Sequence, residues 1–167
     1  MEADQRARWL EDMVARHQAA LLKFCYAYLC DAEQARDAVQ ETFLKAYQGM
    51  NTFRGDSGEK TWLIRIARNT CLDMRRSAYF RHTDRRVTPE SLPEIAGENA
   101  TEDEKELTAA ILRLPGKLKD AVLLYYYQGL SVTETAEVLH ISQPSVSSRL
   151  NRARKRLKAI LERGDFA

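Results

Sequence analysis

The side chains in this chain best suited to chemistry are cations, amides and hydroxyls at helical spacing. Gln143–Leu161 (QPSVSSRLNRARKRLKAIL) repeats apolar residues at Val146, Leu150, Ala153 and Leu157, one side of a helix. Opposite that stripe stand Gln143, Ser145, Ser147, Ser148, Arg149 and Arg152, with Arg154 in the basic run that follows. Guanidinium forks fit phosphates and guanine edges, while amides and hydroxyls reach base edges or backbone. A shorter pattern precedes it, Ser131–Leu139 (SVTETAEVL), with Ala136 and Leu139 on one stripe, and His140-Ile141-Ser142 interrupts the two. Two helices joined by a tight corner read as a helix-turn-helix, the second helix aimed at a DNA major groove. Ser142 suits the N-cap, and Pro144 is tolerated in a first turn that has no internal N–H partners to lose. His140 departs from the pattern, because glycine or asparagine turns more easily at such a corner.

A second group of candidate residues lies in Gly49–Arg76. The polar, glycine-punctuated stretch Gly49–Lys60 (GMNTFRGDSGEK) carries Phe53, Arg54 and Ser57. It leads into a helix, Thr61–Arg76, whose polar side shows Arg65, Arg68, Asn69, Arg75 and Arg76. Aromatic rings and cations beside a flexible loop are what a single nucleic-acid strand requires. Bases stack or enter a pocket, guanidiniums hold phosphates, and an amide reads a base edge. Trp62 reads first as packing at the helix start, with direct stacking as the alternative.

Charge is informative only locally, since the whole chain is +2. From Arg149 to Arg163 seven basic residues oppose one acid, and from Pro89 to Glu106 seven acids oppose one lysine. A basic block continuing a recognition helix suits phosphate contacts; the plainer alternative is a solvated helix end complementing its dipole. Free in solution, the acidic block is expected to fold against the basic helix. Cys25, Cys30 and Cys71 form no C-x-x-C pair and each lies in an apolar-periodic stretch, so buried reduced thiols are expected. His17, His82 and His140 have no ligand spacing with them, and no metal or cofactor is expected. No segment has the apolar length to cross a bilayer, and the N-terminus MEADQRARWLEDM has no signal-peptide core, so a cytoplasmic protein without membrane insertion is expected. The sequence holds no Gly-rich phosphate loop, nucleophile elbow, HExxH or convincing carboxylate pair, so no catalytic residue is assigned and the chain is not read as an enzyme.

Positioning these groups falls to helices. Leu10, Met13, Val14, His17, Leu21, Cys25 and Tyr28 mark a first amphipathic helix. Asp31 caps a second, with Ala35, Ala38, Val39, Phe43, Ala46 and Tyr47 facing inward and Asp37, Gln40, Glu41, Leu44, Lys45 and Gln48 outward. Along Thr61–Arg76, Trp62, Leu63, Ile66, Ala67, Thr70 and Met74 take the buried side. Between Ser77 and Thr101 the periodicity fades among Pro89, Pro93 and Gly97, and the composition suits a flexible tether. Glu102–Leu114 and Leu118–Gln128 then read as helices beneath the helix-turn-helix, with Tyr125–Tyr127 as core and packing surface. The expected fold is all-α: one small helical domain over 1–80, a flexible linker over 81–102, and a second small helical domain over 103–167.

Three segments, Asp31–Tyr47 (DAEQARDAVQETFLKAY), Phe53–Arg76 (FRGDSGEKTWLIRIARNTCLDMRR) and Leu114–Leu157, resemble the extracytoplasmic function (ECF) sigma factors in order and spacing. These are the shortest members of the sigma-70 family of bacterial RNA polymerase initiation factors. The resemblance implies that 1–80 is sigma region 2 and 103–167 is region 4. It implies that Asp37, Gln40, Glu41 and Leu44 face the clamp helices of the polymerase β′ subunit, and that the β flap is a further contact. It further implies that Asn51–Lys60 and the helix after it open the minus-ten element and trap a flipped base. Asn69 would read that base, Arg65, Arg68 and Arg76 would hold backbone, and Phe53, Arg54, Ser57 and Trp62 would line the strand's path. Ser147, Ser148, Arg149, Asn151 and Arg152 match positions that read the minus-thirty-five element. Such proteins are usually held by an anti-sigma factor. From the residues alone two other readings stay open: a stand-alone helix-turn-helix regulator, which leaves Phe53–Arg76 without a role, and an enzyme with a DNA-binding tail.

Overall fold

The computed structural model describes residues 2–53, 55, 58–79, 97 and 99–163. Among them every regular element is helical and no strand occurs. The chain divides into two compact units. The expected linker, 81–102, lies outside the described residues apart from 97 and 99–102, as do Glu90, Glu94 and Glu98 of the acidic block expected to meet the basic helix.

The first unit is a three-helix bundle of α1 (Ala3–Leu29), α2 (Ala32–Gln48) and α3 (Glu59–Tyr79), each packed on the other two. Met13, Leu21, Phe24, Cys25 and Tyr28 of α1 meet Ala35, Ala38, Val39, Phe43 and Ala46 of α2 and Leu63, Ile64, Ala67 and Cys71 of α3 in a core closed to solvent. The alanines matter here, because small side chains let helix axes approach closely enough for their neighbours to interlock. Helix α1 ends where Cys30 enters the left-handed region (φ 53°, ψ 30°), its N–H donating to the Tyr26 carbonyl at 2.8 Å. Asp31 then caps α2 as expected, accepting from the Gln34 N–H at 2.9 Å. Cys30, at this corner, is only partly buried, whereas Cys25 and Cys71 are buried. The apolar period places it near the core, but the left-handed residue that stops the helix also turns it out.

Helix α3 begins two residues before the expected Thr61. Glu59 suits that start, since a carboxylate in the first turn offsets the helix dipole, and α1 holds it there. Arg16 Nη1 donates to Glu59 Oε2 at 3.0 Å, and His17 Nε2 lies 3.0 Å from Glu59 Oε1. Hydrogen bonds to Glu59 first, and to Asp12 second, push the Arg16 pKa above its ordinary value. Lys45 departs from the outward face expected of it: its Nζ donates to Thr70 Oγ1 of α3 at 3.1 Å. A long stem lets a lysine on the flank of α2 reach the neighbouring helix.

The second unit comprises α4 (Glu102–Leu112), α5 (Gly116–Val122), α6 (Val132–Leu139) and α7 (Gln143–Arg163). Reciprocal capping boxes open α4 (Thr101 with Glu104) and α6 (Ser131 with Glu134). Pro115 separates α4 from α5 within the Leu114–Leu118 stretch. Helix α5 then continues as π-helical turns over Leu123–Tyr127, with the Gln128 N–H donating to the Leu123 carbonyl at 3.0 Å. The apolar pattern predicts an uninterrupted α-helix from Leu118 to Gln128 and a packed tyrosine triplet. The wider turn shifts the phase of the helix instead, leaving Tyr126 52% and Tyr127 43% exposed. Gly129, at φ +70°, closes the segment in a conformation that side-chain-bearing residues resist. Ala136, Val138 and Leu139 of α6 and Val146, Leu150 and Ala153 of α7 fill the helix-turn-helix core. The stripes expected on the two helices are therefore the ones buried, except that Leu157 is only partly so. Among the described residues no helix is long and apolar enough to cross a membrane.

Candidate nucleic-acid interface

The corner between α6 and α7 is built from three consecutive residues. His140 takes the left-handed conformation (φ 56°, ψ 44°), and its N–H turns back to carbonyls at the end of α6. The Ile141 N–H donates to the Ala136 carbonyl at 3.1 Å. Ser142 Oγ then accepts the Ser145 N–H at 3.2 Å, the expected N-cap. Histidine thus does the work glycine would do, within the tolerance that its small planar ring allows.

With Val146, Leu150 and Ala153 buried, α7 turns Gln143, Ser147, Ser148, Asn151 and Arg152 to solvent, and Arg149 is partly buried beside them. Ser145 is occupied locally, because its hydroxyl lies 2.8 Å from Ser142 Oγ. Arg154 is exposed but not loose. Its Nε donates to the Tyr126 hydroxyl at 2.7 Å, its Nη1 donates to Asn151 Oδ1 at 2.8 Å, and the guanidinium lies 5.6 Å from the Tyr126 ring centroid. Tyr126 is a residue the linear pattern misses, since the π-helical turn that aims it leaves no mark in apolar spacing.

In the first unit, Trp62, Arg65, Asn69 and Arg76 recur on one side of α3, away from the buried Leu63, Ile64, Ala67 and Cys71. Asn69 is exposed, and Arg65 and Arg68 are partly buried. The Arg65 Nε is sealed from solvent without a hydrogen-bond partner. Arg76 is exposed and its Nη1 sits 3.7 Å from Asp73 Oδ1, a loose surface pair. Trp62 is neither core nor free platform. Its ring is partly buried, with the Phe53 centroid at 4.8 Å and the Trp9 centroid at 6.1 Å. Nothing in the spacing of Trp9 ties it to a helix some fifty positions on. Arg54 and Ser57 lie outside the described residues. On α2, Asp37, Gln40, Glu41 and Leu44 are all exposed, Leu44 by 50%, which leaves an apolar side chain within an acidic and amide face. Among the described residues no group of His, Cys, Asp or Glu could hold a metal ion.

Two capped helices with a basic, hydroxyl-rich outer face define a DNA-binding module, and the three-helix bundle of the first unit carries a second cationic face. Comparison with known proteins carries this further. Residues 13–81 match the model of sigma-70 region 2, and residues 104–157 match that of sigma-70 region 4. The RNA polymerase sigma-H factor of Pseudomonas aeruginosa is 33% identical, over 95% of this chain and 88% of its own length. The ECF RNA polymerase sigma factor SigL of Mycobacterium tuberculosis is 34% identical, over 96% of this chain and 93% of its own. A solved structure of the sigma factor RpoE in complex with the anti-sigma factor NepR, from Bartonella quintana, shares the fold. Its TM-score is 0.77 at 23% identity, over 91% of this chain and 96% of that one. The chain belongs to the sigma-70 family of RNA polymerase sigma factors, in its ECF branch. Its two regions serve promoter recognition and transcription initiation by RNA polymerase.

Proposed function

We propose the following division of labour among named residues. The first domain, 1–80, binds core polymerase and opens the minus-ten element. The second, 103–167, reads the minus-thirty-five element, and the linker 81–102 joins them. On α2, Asp37, Gln40, Glu41 and Leu44 dock on the β′ clamp helices, with Leu44 supplying the apolar anchor. Phe53, Arg54, Ser57 and Trp62 receive the non-template strand, Asn69 reads a flipped base, and Arg65, Arg68 and Arg76 hold its backbone. On α7, Gln143, Ser145, Ser147, Ser148, Arg149, Asn151, Arg152 and Arg154 face the upstream duplex, Ser145 through its place at the helix start. The second domain also meets the β flap, and an anti-sigma factor restrains the free protein. Its structural relative RpoE is seen with such a partner. The protein acts in the cytoplasm as an initiation factor without catalysis of its own.

One observation carries this reading. Trp62, Arg65, Asn69 and Arg76 line up on α3 opposite its core, beside an aromatic pair, while a helix-turn-helix stands in the other domain. A stand-alone duplex binder has no use for the α3 face. Melting DNA sacrifices stacking worth about 1.4 kcal/mol per step, so the unpaired strand must be captured to offset it. Two weak DNA contacts on one chain reinforce each other once the polymerase fixes their spacing, because the second becomes intramolecular. Run-off transcription with purified core polymerase on a promoter library tests the proposal. Specific start sites are expected only with both core and this chain, and tight sequence-specific duplex binding without core would overturn it.

A further inference from the structure

Asn151 is held in one orientation by its neighbours. Arginine has five N–H donors and no acceptor, so the Asn151 atom 2.8 Å from Arg154 Nη1 is the carbonyl oxygen Oδ1. Arg154 is fixed in turn by Tyr126, through the 2.7 Å bond from its Nε and the ring beneath its guanidinium. The amide nitrogen of Asn151 is therefore the end better placed to meet a partner, since a cation lies directly beside the oxygen. The usual pairing of asparagine with adenine needs both ends, Oδ1 accepting from the adenine amino group and Nδ2 donating to N7. Here one of the two Oδ1 lone pairs is taken, and an adenine amino group approaching the other would be brought against a guanidinium. Guanine offers the opposite, two acceptors at N7 and O6 for an amide donor flanked by positive charge.

From this chain of contacts we infer that Tyr126 is a positioning residue for promoter recognition. Through Arg154 it occupies one lone pair of Asn151 Oδ1 and sets a cation against the other, which favours the acceptors of guanine over the amino group of adenine at the base it faces. The inference rests on the reading of α7 as the helix that enters the upstream element. Tyr126 touches no DNA in this scheme. It acts through Arg154, and the π-helical turn over Leu123–Tyr127 is what brings it there.

The test uses the full chain assembled with core polymerase and competition binding to upstream duplexes carrying each base at each position. Asn151→Ala identifies the position at which discrimination disappears. There the wild type is expected to favour guanine over adenine by about fivefold, the low end of the range for a base contact, because only the amide nitrogen donates. Tyr126→Phe keeps the ring and the helix packing and removes only the hydroxyl; it should narrow that preference to about twofold or less. Arg154→Gln should narrow it likewise. A merely structural role for Tyr126 would weaken all duplexes equally and leave the preference intact, and that result overturns the inference. So does a wild-type preference for adenine at that position. If Asn151→Ala alters no position while others still discriminate, the inference falls and the reading of α7 stands. If the wild-type holoenzyme discriminates at no upstream position, both fall.

Discussion

His140 offers a sharp test of the corner that aims α7. Its backbone is left-handed (φ 56°, ψ 44°) and its side chain is exposed, so substitution there alters conformational energy with little change in packing. A left-handed conformation costs an L-residue about 1–2 kcal/mol. Glycine escapes that cost but brings about 0.5–1 kcal/mol of additional chain entropy to be lost on folding. His140→Gly should therefore stabilise the second domain by roughly 0–1 kcal/mol. Valine, branched at Cβ, pays about 3 kcal/mol, the upper end for a non-glycine residue in that region, so after the glycine entropy the two variants should differ by about 2 kcal/mol. In a domain of this size that separates their melting temperatures by about 10 °C. Calorimetry of the full chain, resolving the transition of the second domain, measures it. Melting temperatures for the two variants within about 2 °C of each other would refute the argument, since neither variant changes a buried contact. His140→Gly should also keep upstream-element recognition.

Other expectations concern the proposed interfaces and the thiols. Arg149→Ala should weaken upstream recognition by roughly 1–3 kcal/mol with partial loss of sequence preference; an equal loss on every sequence in a gel shift would reassign it to phosphate. Asn69→Ala should leave closed-complex formation intact and impair opening, so unchanged permanganate reactivity of the melted strand would refute its role. Glu41→Lys should abolish core binding in a titration while circular dichroism shows the fold retained, because Glu41 is exposed and supports no packing. A thiol reagent should modify Cys30 quickly and reach Cys25 and Cys71 only on unfolding. The hydrogen bond to Cys25, and then burial, push the Cys71 pKa well above the ordinary thiol value, so little thiolate is present at neutral pH. Two fast-reacting thiols in the native protein would contradict this.

Much of the architecture is legible from period alone. Apolar residues every three to four positions mark α1, α2, α3, α6 and α7, and Asp31 and Ser142 sit where their side chains close the first helical turn. Such features are local: a cap or an amphipathic stripe depends on residues within one or two turns of each other, and linear order records it. The exposed faces of α2 and α7 follow for the same reason, since burying one stripe leaves the opposite one in solvent.

Features that join distant segments, or break a regular period, came only with the folded chain. The early start of α3 reflects Arg16 and His17 reaching Glu59 across more than forty positions. Trp9, Phe53 and Trp62 come together because α1 lies along α3, and Lys45 turns inward because Thr70 is within its reach. The π-helical turns that expose Tyr126, and with it the brace on Arg154 and Asn151, change helical phase in a stretch whose residues would suit an ordinary helix equally well. Residue type dictates which groups can bind DNA. Their hydrogen-bonding polarity and orientation are decided by neighbours that only packing supplies.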